Sequence, residues 1–191
     1  MKNLVFPVLL LLAGCASVAN RPNPVQNEAE RVEYLKAHAN WAFTGRLAYA
    51  HAGKGGSARI RWQQNGEVSD IRVTGPLAMG STHLRVNAGQ AQILDAGGQP
   101  MKSGPSEALW AELLQIPGPL PALHQGLRAY WPENPEWNAS ASAGSVRIAD
   151  WYWQYAEWRD EPVRLPGSVV VERGQTRLRL VIDQWQALPH D

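Results

Sequence analysis

From Trp41 onward the chain alternates apolar and polar residues with a period of two, in run after run, and each run stops at turn residues. Trp41, Phe43, Gly45, Leu47 and Tyr49 share one parity, and Ala58, Ile60 and Trp62 lie opposite Arg59, Arg61 and Gln63. Ile71 and Val73 flank Arg72, and Leu84 and Val86 flank Arg85. Gly53, Gly55-Gly56, Asn65-Gly66 and Asp95-Ala96-Gly97-Gly98 punctuate these runs at hairpin spacing. The alternation returns in Val146 and Ile148, in Trp151, Trp153 and Tyr155, in Val169 and Val171, and in Leu178, Leu180 and Ile182, with Trp185 closing the last run. Strands that follow one another through hairpins make an antiparallel sheet with one apolar face. A sheet of roughly ten strands must curl or close.

Helical spacing breaks the pattern in three places. Asn27 is placed to cap a helix over 27–38, with Glu30 three residues on and Ala29, Val32, Leu35 and Ala39 as its apolar stripe. Ser106 is placed to cap Glu107 to Ile116, which carries Leu109, Trp110, Leu113 and Leu114. A further helix starts at Leu120-Pro121, carries Leu123, Leu127 and Tyr130, and ends at Trp131-Pro132. Apolar on one side, these helices are expected to cover the concave face of the sheet.

The residues before this domain read differently. Met1-Lys2-Asn3 is a short positive start, and Leu4 to Ala13 is apolar apart from Pro7, the pattern of a secretory signal. Leu12-Ala13-Gly14-Cys15 resembles the bacterial lipobox. That resemblance implies cleavage before Cys15, a thioether-linked diacylglycerol, an amide-linked acyl chain and, with Ala16 next, sorting to the outer membrane. An ordinary export signal followed by a chance cysteine is the alternative. At about 0.8 kcal/mol per buried methylene, three long acyl chains are worth ~36 kcal/mol, so such an anchor does not leave its membrane unaided. The expected organisation is a signal peptide over 1–14, a lipidated Cys15 and flexible tether over 15–26, in which Pro22 and Pro24 block a helix, and one domain over 27–188.

Composition removes several functions. The 191 residues carry 18 Lys plus Arg against 17 Asp plus Glu, and Lys2 is the only charge before Cys15, so the exported part is neutral. A neutral chain has no long-range field for nucleic acid. One Cys excludes an intrachain disulfide and a thiolate metal cluster. Gly-x-Ser-x-Gly, a P-loop, Gly-x-Gly-x-x-Gly and His-Glu-x-x-His are all absent, and His38, His51, His83, His124 and His190 are isolated in sequence. Asp150, Glu157, Asp160 and Glu161 could supply a glycosidase pair, but acids near turns are read more simply as solvated. No enzyme, cofactor or metal site is expected.

Aromatic and aliphatic surface remains. Nine Trp against two Phe fit either a filled core or the lining of an apolar cavity. Arg59, Arg61, Arg72, Arg85, Arg177 and Arg179 read as a solvated outer face, with contact to anionic headgroups as the minor alternative. Thr74-Gly75-Pro76-Leu77-Ala78-Met79-Gly80-Ser81 joins two strands and sets Leu77 and Met79 on a tip where polar residues are usual. Such a tip either folds back onto the sheet or is an apolar finger presented to a membrane or partner.

Several of these stretches together resemble the LolB family of outer-membrane lipoprotein receptors. They are Trp41 with Gly45-Arg46-Leu47, Ala58 to Trp62-Gln63-Gln64, Gly75-Pro76-Leu77, Glu107 to Leu114, Leu120-Pro121 to Leu127, Trp151 to Tyr155, Leu165-Pro166 and Arg177 to Trp185. The resemblance implies an open, incomplete antiparallel β-barrel of about eleven strands, covered by helices around an apolar cavity. It implies a lipid-anchored monomer facing the periplasm, which takes lipoproteins from the carrier LolA and inserts their acyl chains among outer-membrane lipids. The family's protruding leucine, needed for insertion rather than receipt, maps to Leu77. Here Ala78-Met79 separate Leu77 from Gly80, so the tip is Leu77, Met79 or both. Periodicity supplies the expected inward set: Trp41, Phe43, Leu47, Ile60, Trp62, Ile71, Val73, Leu84, Val86, Leu113, Leu123, Leu127, Trp151, Trp153, Leu178 and Leu180. The competing readings are a scaffold of an envelope complex, which would use the aromatic face for protein contact, and a peptidoglycan-modifying enzyme, which lacks a visible catalytic constellation.

Overall fold

A computed structural model describes residues 27–75, 80–131, 144–160 and 163–187. Cys15, Leu77 and Met79 lie outside the described residues. Helix α1 (Glu28–Ala37) leads into six strands: β1 (Trp41–His51), β2 (Lys54–Asn65), β3 (Val68–Thr74), β4 (Ser81–Asn87), β5 (Gln90–Leu94) and β6 (Pro100–Pro105). Helices α2 (Ser106–Leu114) and α3 (Leu120–Gly126) follow, then β7 (Ser145–Ile148), β8 (Trp151–Ala156), β9 (Ser168–Arg173) and β10 (Thr176–Ala187).

The ten strands form one antiparallel sheet in the order β6-β5-β4-β3-β2-β1-β10-β9-β8-β7. Two meanders therefore meet where β1 pairs with β10 from Trp41↔Ala187 to His51↔Thr176. Among the described residues no ladder joins β6 to β7, so the barrel is open, with ten strands where the resemblance implied about eleven. Two-residue turns set the registers at 52–53, 66–67, 88–89, 149–150 and 174–175. Ala52-Gly53 and Ala88-Gly89 have positive φ at both positions, the twist that suits a tight hairpin.

The helices differ from expectation in ways that have local causes. Asn27 caps α1 as read, its side chain accepting from the Glu30 N–H at 2.9 Å. The buried residues of α1, however, are Arg31 and Leu35, while Ala29 and Ala39 are exposed. Ser106 is not the cap of α2 but its first, buried residue, its N–H donating to the Gly89 carbonyl at 2.9 Å. That helix stops at Leu114 because Gln115 turns left-handed at φ 56°. Likewise α3 ends at Gly126 rather than near Tyr130, and Ala129 at φ 51° turns the chain away.

Ala149 and Asp150 form the β7–β8 turn with φ of 45° and 67° and hold the Ile148↔Trp151 register. An alanine in this conformation is strained, and asparagine tolerates it better. Ala149→Asn should therefore raise stability by about 0.5–1 kcal/mol in urea unfolding. A loss of stability would mean that the turn is not of this type.

Candidate functional site

The inner face of the sheet and the helices share one apolar cluster. It takes in Phe43, Leu47, Ile60, Trp62, Ile71, Leu84, Trp153, Val169, Val171, Leu178, Leu180 and Ile182 from the strands. Leu109, Trp110 and Leu114 enter it from α2, Ile116 from the connection, and Leu120 and Leu123 from α3, with Leu127, Ala129 and Trp131 beyond. Fourteen of the sixteen residues expected to face inward are buried; Val86 and Leu113 are half-buried at the margin. Leu113 gives way to Leu109, Trp110 and Leu114 because α2 presents those three to the core. The periodicity was also visible at Tyr155, Val169, Val171 and Ile182, which belong to the same face.

The tryptophans are not equivalent. Trp41, Phe43 and Trp62 stack with centroids 6.2–6.4 Å apart, and Trp185 closes on Trp41 at 5.6 Å. The Trp62 indole donates to Gln64 Oε1 at 3.0 Å, and the Ser69 hydroxyl donates to the same oxygen at 2.6 Å. The Trp131 indole donates to the Tyr155 hydroxyl at 2.9 Å, and burial pushes that phenol well above its ordinary pKa, so it stays protonated. By contrast the indole N–H groups of Trp110 and Trp153 are buried without a hydrogen-bond partner among the described residues. Gly126 of α3 lies so close over the Trp153 and Trp131 rings that a Cβ there would clash with both.

Two buried arginines fasten α1 to the end of the barrel. Arg31 donates to the carbonyls of Arg128, Ala129 and Arg164 and pairs with Glu28 at 2.8 Å. Arg128 donates to the Leu35 and His38 carbonyls at 3.1 and 2.8 Å and lies over the Trp41 and Tyr130 rings at 5.4 and 5.6 Å. Burial lowers the Arg128 guanidinium to about 10, so it remains charged at neutral pH. Its lowered value belongs to the folded state. The folded chain thus gives up this proton first, and the linked stability rises with pH only above about 10, until the ordinary arginine range is reached. Beneath α1 lies a small apolar pocket of about 80 Å³ bordered by Leu35, Trp41, Val163, Leu165 and Trp185.

The acids considered for catalysis are dispersed. Asp150 precedes β8 and Glu157 follows it, so they lie at opposite ends of one strand, and both are exposed. Asp160 is exposed beside Arg164 at 3.8 Å, and Glu161 lies outside the described residues. Among the described residues no group of three His, Cys, Asp or Glu could hold a metal ion. No described helix is long and apolar enough to cross a membrane.

The described residues form an open antiparallel half-barrel with an apolar inner face under short helices. A solved LolA superfamily protein from Nitrosomonas europaea superposes with a TM-score of 0.54 at 8% identity, covering 85% of this chain and 94% of that one. The family model for the outer membrane lipoprotein LolB matches residues 39–185. Outer-membrane lipoprotein LolB of Aeromonas salmonicida is 30% identical over 97% of this chain and 96% of its own length. Its counterpart from Aeromonas hydrophila is 32% identical over 93% of this chain and 92% of its own length. The chain belongs to the LolB family: it is an outer-membrane lipoprotein that acts as a receptor in lipoprotein localisation.

Arg128→Ala would remove the hydrogen bonds to the Leu35 and His38 carbonyls and two ring contacts. We expect it to cost about 2–3 kcal/mol in urea unfolding. A loss under about 0.5 kcal/mol would show that the Arg128 side chain does not fasten α1.

Proposed function

We propose that this protein accepts lipoproteins from a LolA-like periplasmic carrier, holds their acyl chains against the inner face beneath α2 and α3, and delivers them to outer-membrane lipids. In this reading residues 1–14 are removed, Cys15 is acylated and the segment up to residue 26 is a tether. The domain works as a monomer and without catalysis. The observation that carries the proposal is the single apolar face, running the width of the sheet and covered by two short helices, in a member of this family.

The physics of exchange supports it. A triacylated client would forfeit ~36 kcal/mol in open water, so its chains must pass from one apolar surface to another. Without a nucleotide site, direction comes from relative affinity, tenfold for each ~1.4 kcal/mol. The covered inner face supplies a surface of the right chemistry once α2 and α3 move off it. Trp110 and Trp153 add polar handles, since each unpaired buried N–H costs about 1–3 kcal/mol until an acceptor arrives. A client's ester and amide carbonyls are such acceptors. The sixteen inward residues are proposed as the acyl contact set, and Leu77 with Met79 as the apolar tip that meets the bilayer. Fully burying each tip residue is worth roughly 1.5–3 kcal/mol, enough to hold the mouth of the barrel at the membrane and far less than the anchor.

Transfer in two steps tests the scheme, first from loaded carrier to this protein and then from this protein to liposomes. Ile60→Glu sets an unpaired carboxylate on the inner face at a cost of several kcal/mol and should fail at the first step. The Leu77→Glu/Met79→Glu variant should complete the first step and stall at the second. Thermal unfolding run alongside separates a lost fold from a lost step. Parental loading by a folded Ile60→Glu variant would remove the inner face from the route. Failure of the double variant at receipt would move the tip residues to the carrier-docking surface.

A further inference from the structure

The opposite, outer side of the sheet carries an arginine block that the transfer route does not use. Arg46 stands directly across from Arg59 in the β1/β2 register, and Arg61 directly across from Arg72 in the β2/β3 register. Like charges directly opposite one another on a sheet repel and destabilise it. Carboxylates offset little of this. Arg46 meets Asp183 at 3.1 Å across an exposed contact, and in the next row Asp70 is shared by His83 and Arg85 at 2.7 and 3.2 Å. Arg59, Arg61 and Arg72 have no ion-pair partner among the described residues. All four arginines border one open hollow of about 650 Å³, Thr44, Thr74 and Ser81 bring hydroxyls to it, and Asp183, the partner of Arg46, is the one carboxylate on its lining. This concentration of positive charge arises in a chain whose exported part is neutral.

A face that needed only to be wet would be served by mixed signs. A self-repelling set of guanidiniums around a hollow is instead complementary to phosphate, which each planar fork can bind in bidentate fashion. We propose that this hollow docks the anionic phosphates of lipid headgroups and thereby sets which side of the domain faces the bilayer. The inference rests on the membrane anchoring described above. A tether of a dozen residues spans at most about 40 Å. A compact domain of this size has a radius of gyration of about 15 Å and hence a width of about 40 Å, similar to the tether's reach. The tether therefore confines the domain to the membrane without choosing its orientation, and a second contact must choose. Thr74 and Ser81, paired across β3 and β4 at the rim of the hollow, put this contact at the end of the sheet where those two strands connect.

The test uses the full lipidated chain with Ser57→Cys, an exposed outer-face position on β2, labelled with a fluorophore and reconstituted into vesicles carrying a headgroup-attached quencher. We expect several-fold stronger quenching when phosphatidylglycerol is mixed into phosphatidylcholine, and its disappearance at high salt. The Arg59→Glu/Arg61→Glu/Arg72→Glu variant should lose the effect, and the corresponding triple Lys variant should largely keep it. Should the Glu variant fail to fold, Arg61→Gln together with the salt titration of the unmutated protein reads the same contact. Equal quenching in both lipids, or quenching indifferent to salt and to the substitutions, overturns the proposal. So does an arginine dependence confined to receipt from a loaded carrier, which would make the hollow a protein-docking surface. No carrier or cargo is present in the orientation experiment, so failure of the transfer reading leaves its outcome untouched.

Discussion

The pairing of β1 with β10 holds the two halves of this protein in one sheet. The two strands are separated by nearly the whole domain in sequence, and bringing them together incurs a loop-closure cost that grows only slowly with length. Once they pair over the full length of β1, the first six strands and the last four continue one surface, with Phe43, Leu47, Leu178 and Leu180 at its centre. A break in that seam would divide the continuous apolar face between two separate meanders. Gly45 marks how close the contact is. The register shifts beside it, and a Cβ there would run into the Val181 carbonyl of β10.

A sheet apolar across one whole face must be covered, and the covering chosen here is slight. Helices α2 and α3 are about two to two and a half turns long, too short to be stable alone, so they persist through what they bury. Trp110, Leu114 and Leu123 do that work by inserting into the inner face. The cover is also imperfect in its polar bookkeeping, since Trp110 and Trp153 bury unpaired N–H groups. Cover and cargo have the same chemistry, and each can replace the other without exposing the sheet to water. The α1 side is fastened differently, by two guanidiniums spread over backbone carbonyls and aromatic rings, contacts no acyl chain could replace. In the proposed function the α1 flank of the barrel stays fixed and the α2–α3 flank exchanges.

Much of this was legible in the sequence because a period of two is a strong signal when the turns between strands are also marked. Nine of the ten strands, their inward parity and the placement of helices between two blocks of strands follow from alternation and from Gly- and Asn-containing turns, whereas β6 is exposed along nearly its whole length and so carries no alternation to read. What was illegible involved residues acting against type. Arginine is a residue type usually found exposed, yet Arg31 and Arg128 are both buried, because carbonyls and a ring distant in sequence surround them. The ends of α2 and α3 depend on Gln115 and Ala129 adopting left-handed φ, which neither residue type announces. The Ala149-Asp150 turn lacks glycine and asparagine for the same reason. The arginine rows of β1 to β3 were visible as alternation, but their direct opposition appears only with the registers.

The central claim is that the inner face exchanges its helical cover for acyl chains. Amide hydrogen exchange on the empty and the lipoprotein-loaded protein tests it most directly. On loading, the amides of residues 106–126 should lose protection by an order of magnitude or more while those of β1 and β10 keep theirs, since the seam persists and the cover moves. Unchanged protection across α2 and α3 in a protein that demonstrably holds its cargo would contradict the account and place the acyl chains elsewhere.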